Sequence, residues 1–100
     1  QGVSTMSELI DVDAIPELEA MFRFQWEEAQ QAHVLLYPEG MVKLNGPAGE
    51  ILSVVDAKRS VGDIINLLNA KYPDAGGVDD DVKAFMLDAL AQHWIRWVAS

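Results

Sequence analysis

One hundred residues make room for one domain and a modest core. Sixteen acidic residues against seven basic ones give a formal net charge of −9, which argues against a nucleic-acid partner because phosphate binding needs clustered Lys and Arg. Half of the chain is hydrophobic and none of it is cysteine, so it reads as a globular domain without disulfides, thiolate metal sites or a cysteine nucleophile.

Residues 1–20 hold Glu8, Asp11, Asp13, Glu17 and Glu19 around a thin apolar set that Pro16 interrupts. No helical or strand period is sustained there. The stretch predicts a flexible acidic arm ahead of a domain spanning residues 21–98. Alternation then begins: Phe22, Phe24 and Trp26 fall on one face of a strand over residues 21–27, with Arg23, Gln25 and Glu27 on the other. Two further short apolar runs, residues 33–37 and 41–45, flank Pro38-Glu39-Gly40. Pro38 pre-sets the φ of a turn and Gly40 suits its end, so these runs predict a hairpin, and with the first strand a three-stranded antiparallel meander.

Gly46-Pro47 opens a helix, since proline at the first helical position lacks only an N–H that would go unpaired. Ile51, Leu52, Val54 and Val55 give it an apolar face, and it should fail near Ala57-Lys58. Ser60 and Asp63 form a capping box ahead of Val61, Ile64, Ile65, Leu68 and Tyr72 at helical spacing. Tyr72-Pro73 stops that second helix. A third, longer helix starts at Asp79-Asp80-Asp81 and carries Val82, Phe85, Met86, Ala89, Leu90, His93, Trp94 and Trp97 along one wide stripe to residue 97. Three strands followed by three helices define an α+β domain.

Little of this chain promises chemistry. His33 and His93 lie on different elements without a ligand motif around them, and the aspartates at residues 79–81 are best read as helix caps opposing the dipole. No serine sits in a nucleophile elbow. No catalytic residue, metal or cofactor is therefore expected. No apolar run reaches the ~18 residues of a membrane span, and no signal peptide is read at the start. A cytoplasmic protein without nucleic-acid or membrane partners is the expectation. The strongest candidate site is the strand over residues 41–45, which has no later strand to pair with. Lys43 guards such an edge in the bland reading; in the functional one an extended peptide adds to it.

The same stretch carries a resemblance. Gln25-Trp26-Glu27, Ala29-Gln30, the run from His33 through Leu35-Leu36-Tyr37-Pro38-Glu39-Gly40-Met41-Val42-Lys43-Leu44-Asn45, and Glu50-Ile51-Leu52 resemble the pyrroloquinoline quinone biosynthesis protein D family (PqqD). The likeness continues more loosely through Asp81-Val82 and Phe85 to Trp94-Ile95. It implies a winged helix-turn-helix-like fold and a non-catalytic peptide chaperone, a recognition element for a ribosomally made precursor. It implies binding of the precursor peptide PqqA and its presentation to the radical SAM enzyme PqqE, which makes a Glu–Tyr carbon–carbon crosslink. The leader segment in this class adds along the third strand and lies against the third helix. By position those residues are Met41, Val42, Lys43, Leu44 and Asn45, with Val82, Phe85, Met86 and Ala89. Leu90, Trp94 and Trp97 are then left to stabilise the fold. Two rivals are a winged-helix DNA-binding module, which the charge opposes, and a structural homodimer that occupies its own edge strand.

Overall fold

The computed structural model describes residues 10–98. Its centre is the expected meander: β2 (Arg23–Glu27), β3 (Ala32–Tyr37) and β4 (Gly40–Lys43) in the order β2-β3-β4, following a short β1 (Pro16–Leu18). Cross-strand register aligns Phe24, Leu35 and Val42, which pack toward the core, and aligns Arg23, Leu36 and Met41 on the opposite face. Pairing of Tyr37 with Gly40 leaves Pro38-Glu39 as a two-residue turn. The faces follow the expected alternation, but burial does so only in part: Trp26 on the core-side face is 49% exposed, and Val34 on the opposite face is fully buried.

Helix α1 (Gly46–Leu52) starts two residues after Leu44, which follows β4 and is buried in the core. Its N-cap is Asn45, whose side-chain oxygen accepts the Ala48 N–H at 2.8 Å. The helix is shorter than expected. Val54 and Val55 donate back to the Ile51 and Leu52 carbonyls, and the Asp56 carboxylate takes the Lys58 and Arg59 N–H groups, which turns the chain before α2. In α2 (Val61–Lys71) the predicted capping box is present: Ser60 Oγ accepts from Asp63 N–H, and the Asp63 carboxylate accepts from Ser60 N–H, both at 3.1 Å. A 3-10 turn, Pro73–Ala75, links α2 to α3 (Asp79–Ala91).

Two further expectations need correction. The third helix does not reach residue 97. It ends at Ala91, where His93 takes a left-handed φ of 62° while the Trp94 N–H bonds Ala89 O and the His93 N–H bonds Leu90 O. This is a Schellman stop, with histidine where glycine is usual. Apolar spacing alone could not announce it, because His93, Trp94 and Trp97 continue the helical period. The chain instead forms β5 (Ile95–Trp97), which pairs antiparallel with β1, Pro16 opposite Trp97 and Leu18 opposite Ile95.

That pairing corrects the flexible arm as well. From Ile10 onward the acidic stretch belongs to the domain: Ile10 and Pro16 are buried, and the Ala14 and Val12 carbonyls accept from the Val61 and Gly62 N–H groups at the start of α2. The part of the arm over residues 1–9 lies outside the described residues. The expected α+β class holds, with the β1–β5 ribbon added to the three strands and three helices. The core gathers Leu35, Ile51, Ile64, Leu68, Val82, Met86 and Ile95 from all three helices, the meander and β5.

Candidate functional site

Two rows of backbone groups decide what β4 can do. The Leu44 N–H donates to His33 O at 3.0 Å, so Leu44 faces β3. Inward and outward groups alternate along an antiparallel strand, which turns Val42 inward too and leaves the N–H and C=O of Met41 and Lys43 on the outer edge. Strand order places nothing beyond β4 among the described residues. The expected free edge exists, two outward residues long.

Beside it runs a groove of about 450 Å³. One wall is Lys43, Leu44 and Asn45; the other is Asp81, Phe85 and Asp88 of α3; Pro47 and Ile51 of α1 and Trp94 complete it. Residues 81, 85 and 88 recur at four and three, so one helical face supplies the wall. The Phe85 and Trp94 rings lie 6.4 Å apart at 45°, giving the groove an aromatic pair.

The neighbouring face of α3 is occupied differently. Val82, Met86 and Ala89, all named as site residues from the sequence, are buried in the core with 1% exposure or less. The structure splits the apolar stripe by helical face and not by half. Of the helix residues foreseen for the site only Phe85 opens onto the groove, joined by Trp94, which had been assigned to stability. Of the strand residues, Met41 is 43% exposed on the sheet's outer face, Val42 is half-buried against the core, Leu44 is buried, and Asn45 spends its side chain on the α1 cap. Asp81 and Asp88 were missed, yet their signal was present. They sit at the same spacing as Phe85, one residue before Val82 and Ala89.

The ion pairs among the described residues are Arg59–Asp56, Lys71–Glu50 and Arg96 with Glu17 and Glu19, so neither groove aspartate is spent on one. Near α1, Lys71 Nζ donates to Glu50 at 2.8 Å, which holds the Glu50 carboxyl below its ordinary value and raises Lys71 in turn. Across the meander, His33 stacks on Phe24 with ring centroids 4.8 Å apart and lies against α1 at Gly49. Among the described residues no group of three or more His, Cys, Asp or Glu side chains is placed to hold a metal. Nor is any described helix long and apolar enough to cross a membrane.

A free edge strand beside a helix-walled groove is the architecture of a peptide-recognition element, and the fold agrees. The chain resembles the solution NMR structure of the PqqD truncation of Methylobacterium extorquens PqqCD with a TM-score of 0.69 and 26% identity, over 92% of this chain and 99% of that one. That protein is described as a functional, stand-alone recognition element for ribosomally synthesized and post-translationally modified peptides. Residues 32–95 match the family model for Coenzyme PQQ synthesis protein D (PqqD), and the chain belongs to this family. Its relatives include the PqqA binding protein of Pseudomonas aeruginosa strain UCBPP-PA14, 53% identical over 88% of this chain and 96% of that protein. The PqqA binding protein of Kluyvera intermedia is 52% identical over 84% of this chain and 91% of its own length.

Proposed function

We propose that this chain is a non-catalytic chaperone that takes the precursor peptide PqqA as a fourth strand along β4 and presents it to the radical SAM enzyme PqqE. The observation that carries the proposal is the outward row of Met41 and Lys43 backbone groups beside a groove lined by Phe85 and Trp94. Backbone pairing gives affinity with little demand on sequence, while the groove selects side chains. The names of the Pseudomonas and Kluyvera relatives support PqqA as the peptide. A peptide held along one edge keeps its other edge and its outward side chains open to a second protein, which suits handover in the cytoplasm, where a ribosomal peptide is made.

Proline tests the pairing directly, provided it is placed in phase. Val42 and Leu44 face β3, so proline there breaks the meander itself. Lys43→Pro removes an outward donor and leaves the β3 ladder intact, as proline on an edge strand can. The expected result is a folded variant whose affinity for PqqA falls at least tenfold, about 1.4 kcal/mol, while Lys43→Ala binds much as the parent does. Calorimetry gives the affinity and circular dichroism the fold. Full-affinity binding by folded Lys43→Pro overturns strand addition. Sedimentation without peptide separates this reading from a homodimer filling its own edge, and co-elution of PqqE with the loaded chain tests presentation.

A further inference from the structure

A second cleft of about 450 Å³ opens on the far side of the Pro47–Ile51 ridge of α1. Its floor is Ile51, Leu68, Val78 and Val82, and its rim carries Tyr72 and Ala75. It shares Pro47, Ile51 and Asp81 with the edge groove, so the two hollows abut across one turn of α1 and one carboxylate. Leu68 and Val82 are core residues, whereas Tyr72 is 41% exposed and Ala75 is exposed. The cleft therefore has a rigid apolar base and an open aromatic lip. Lys71 Nζ lies 5.5 Å from the Tyr72 ring centroid and pairs with Glu50, which fixes that lip from outside.

We infer that this cleft is a subsite for one bulky apolar side chain of the docked peptide, outside the strand-paired stretch, and that Asp81 of α3, which borders both hollows, holds a basic side chain next to it. The inference rests on the proposed peptide site and extends it. Continuity argues for the same occupant. The hollows meet over one helical turn, ~5 Å of α1, which an extended peptide crosses in about two residues at ~3.3 Å each. A cavity of this size with an apolar floor and few polar groups is what an anchoring side chain requires. Asp81 is the carboxylate common to both hollows and enters no ion pair among the described residues, whereas Lys43, the cation of the edge groove, does not line the cleft. A peptide with an acidic residue at the ridge would meet like charge there, so the groove discriminates as well as attracts.

The test uses the full chain, PqqA and two kinds of variant. Ala75→Trp fills the cleft from an exposed turn, and Tyr72→Ala removes its lip; neither touches β4. Each should keep its urea midpoint and weaken PqqA binding at least fivefold by calorimetry. An alanine scan of the apolar residues of PqqA should find one truncation that costs affinity with the parent and none with Ala75→Trp, as a shared contact requires. Asp81→Asn should weaken binding several-fold and flatten its dependence on salt. Parent-like affinity in folded Ala75→Trp and Tyr72→Ala overturns the subsite, as does an unchanged salt response in Asp81→Asn for the charge contact. Loss in Lys43→Pro beside parent affinity in the cleft variants leaves strand addition standing and confines the peptide to the edge groove. Parent affinity in Lys43→Pro removes the underlying reading and this one with it.

Discussion

Gly49 shows how one missing side chain sets the distance between an element and the sheet. A Cβ built there would lie 2.7 Å from His33 Nδ1 and 3.2 Å from both Cβ and Cγ of that residue. The imidazole cannot simply swing away, because it is stacked on Phe24 and meets Trp26 edge-on at 5.1 Å. Alanine is the better helix former by about 1 kcal/mol, yet overpacking of this kind costs about 1–3 kcal/mol. Gly49→Ala should therefore lower the urea midpoint. The same change in a His33→Ala background, where the clash is gone, should raise it. If Gly49→Ala stabilises the parent, α1 has room to move and the contact is not a constraint.

At the scale of the element, α3 does two jobs with two adjacent faces. Val82, Met86 and Ala89 close the core while Asp81, Phe85 and Asp88 wall the groove. Met86→Ala should cost about 2–5 kcal/mol of stability, the usual range for a fully buried methionine, with parent-like PqqA affinity in the fraction that stays folded. Phe85→Ala should do the reverse, costing ~1 kcal/mol or more of binding and less stability than Met86→Ala. Urea midpoints and calorimetry on the same preparations give both numbers. If Phe85→Ala binds as tightly as the parent, the α3 wall plays no part in recognition. Asn45 belongs to this scale as well. A residue foreseen as part of the peptide edge lies beyond the end of β4 and starts α1, since its side chain caps Ala48 N–H.

Across the whole molecule, the two ends of the described chain are tied together. Pro16–Leu18 pairs with Ile95–Trp97, Arg96 Nε meets Glu17 at 2.8 Å, and Glu19 N–H donates to Trp94 O. The ribbon thereby fixes Trp94, which lines the groove beside β4, to residues some eighty positions earlier. Removing residues 1–19 should cost on the order of 3 kcal/mol through lost ladder contacts and the burial of Ile10, a large share of the ~5–15 kcal/mol typical of a domain. Hydrogen exchange at the Val61 and Gly62 amides, which donate to Ala14 and Val12, should lose protection in the shortened chain. A shortened chain with the parent's urea midpoint would return residues 10–19 to the status of a dispensable arm.

What the sequence determined by itself was local and periodic. Alternation at period two placed the meander and its hairpin, Ser60 and Asp63 placed the start of α2, and the contiguous run from His33 to Asn45 pointed to the family. These signals act over a few residues, so they are legible without knowing the neighbours. Tertiary structure decided the rest. Whether Phe85 of α3 joins the core or the groove depends on where α1 and α2 pack, since it is as apolar as the Val82 and Met86 beside it. The left-handed turn at His93 is favoured only once β1 offers Ile95–Trp97 a partner, and β1 in turn has too few residues to pair without it. A pairing that spans nearly the whole chain leaves no periodic trace in either segment, because its stability comes from the other.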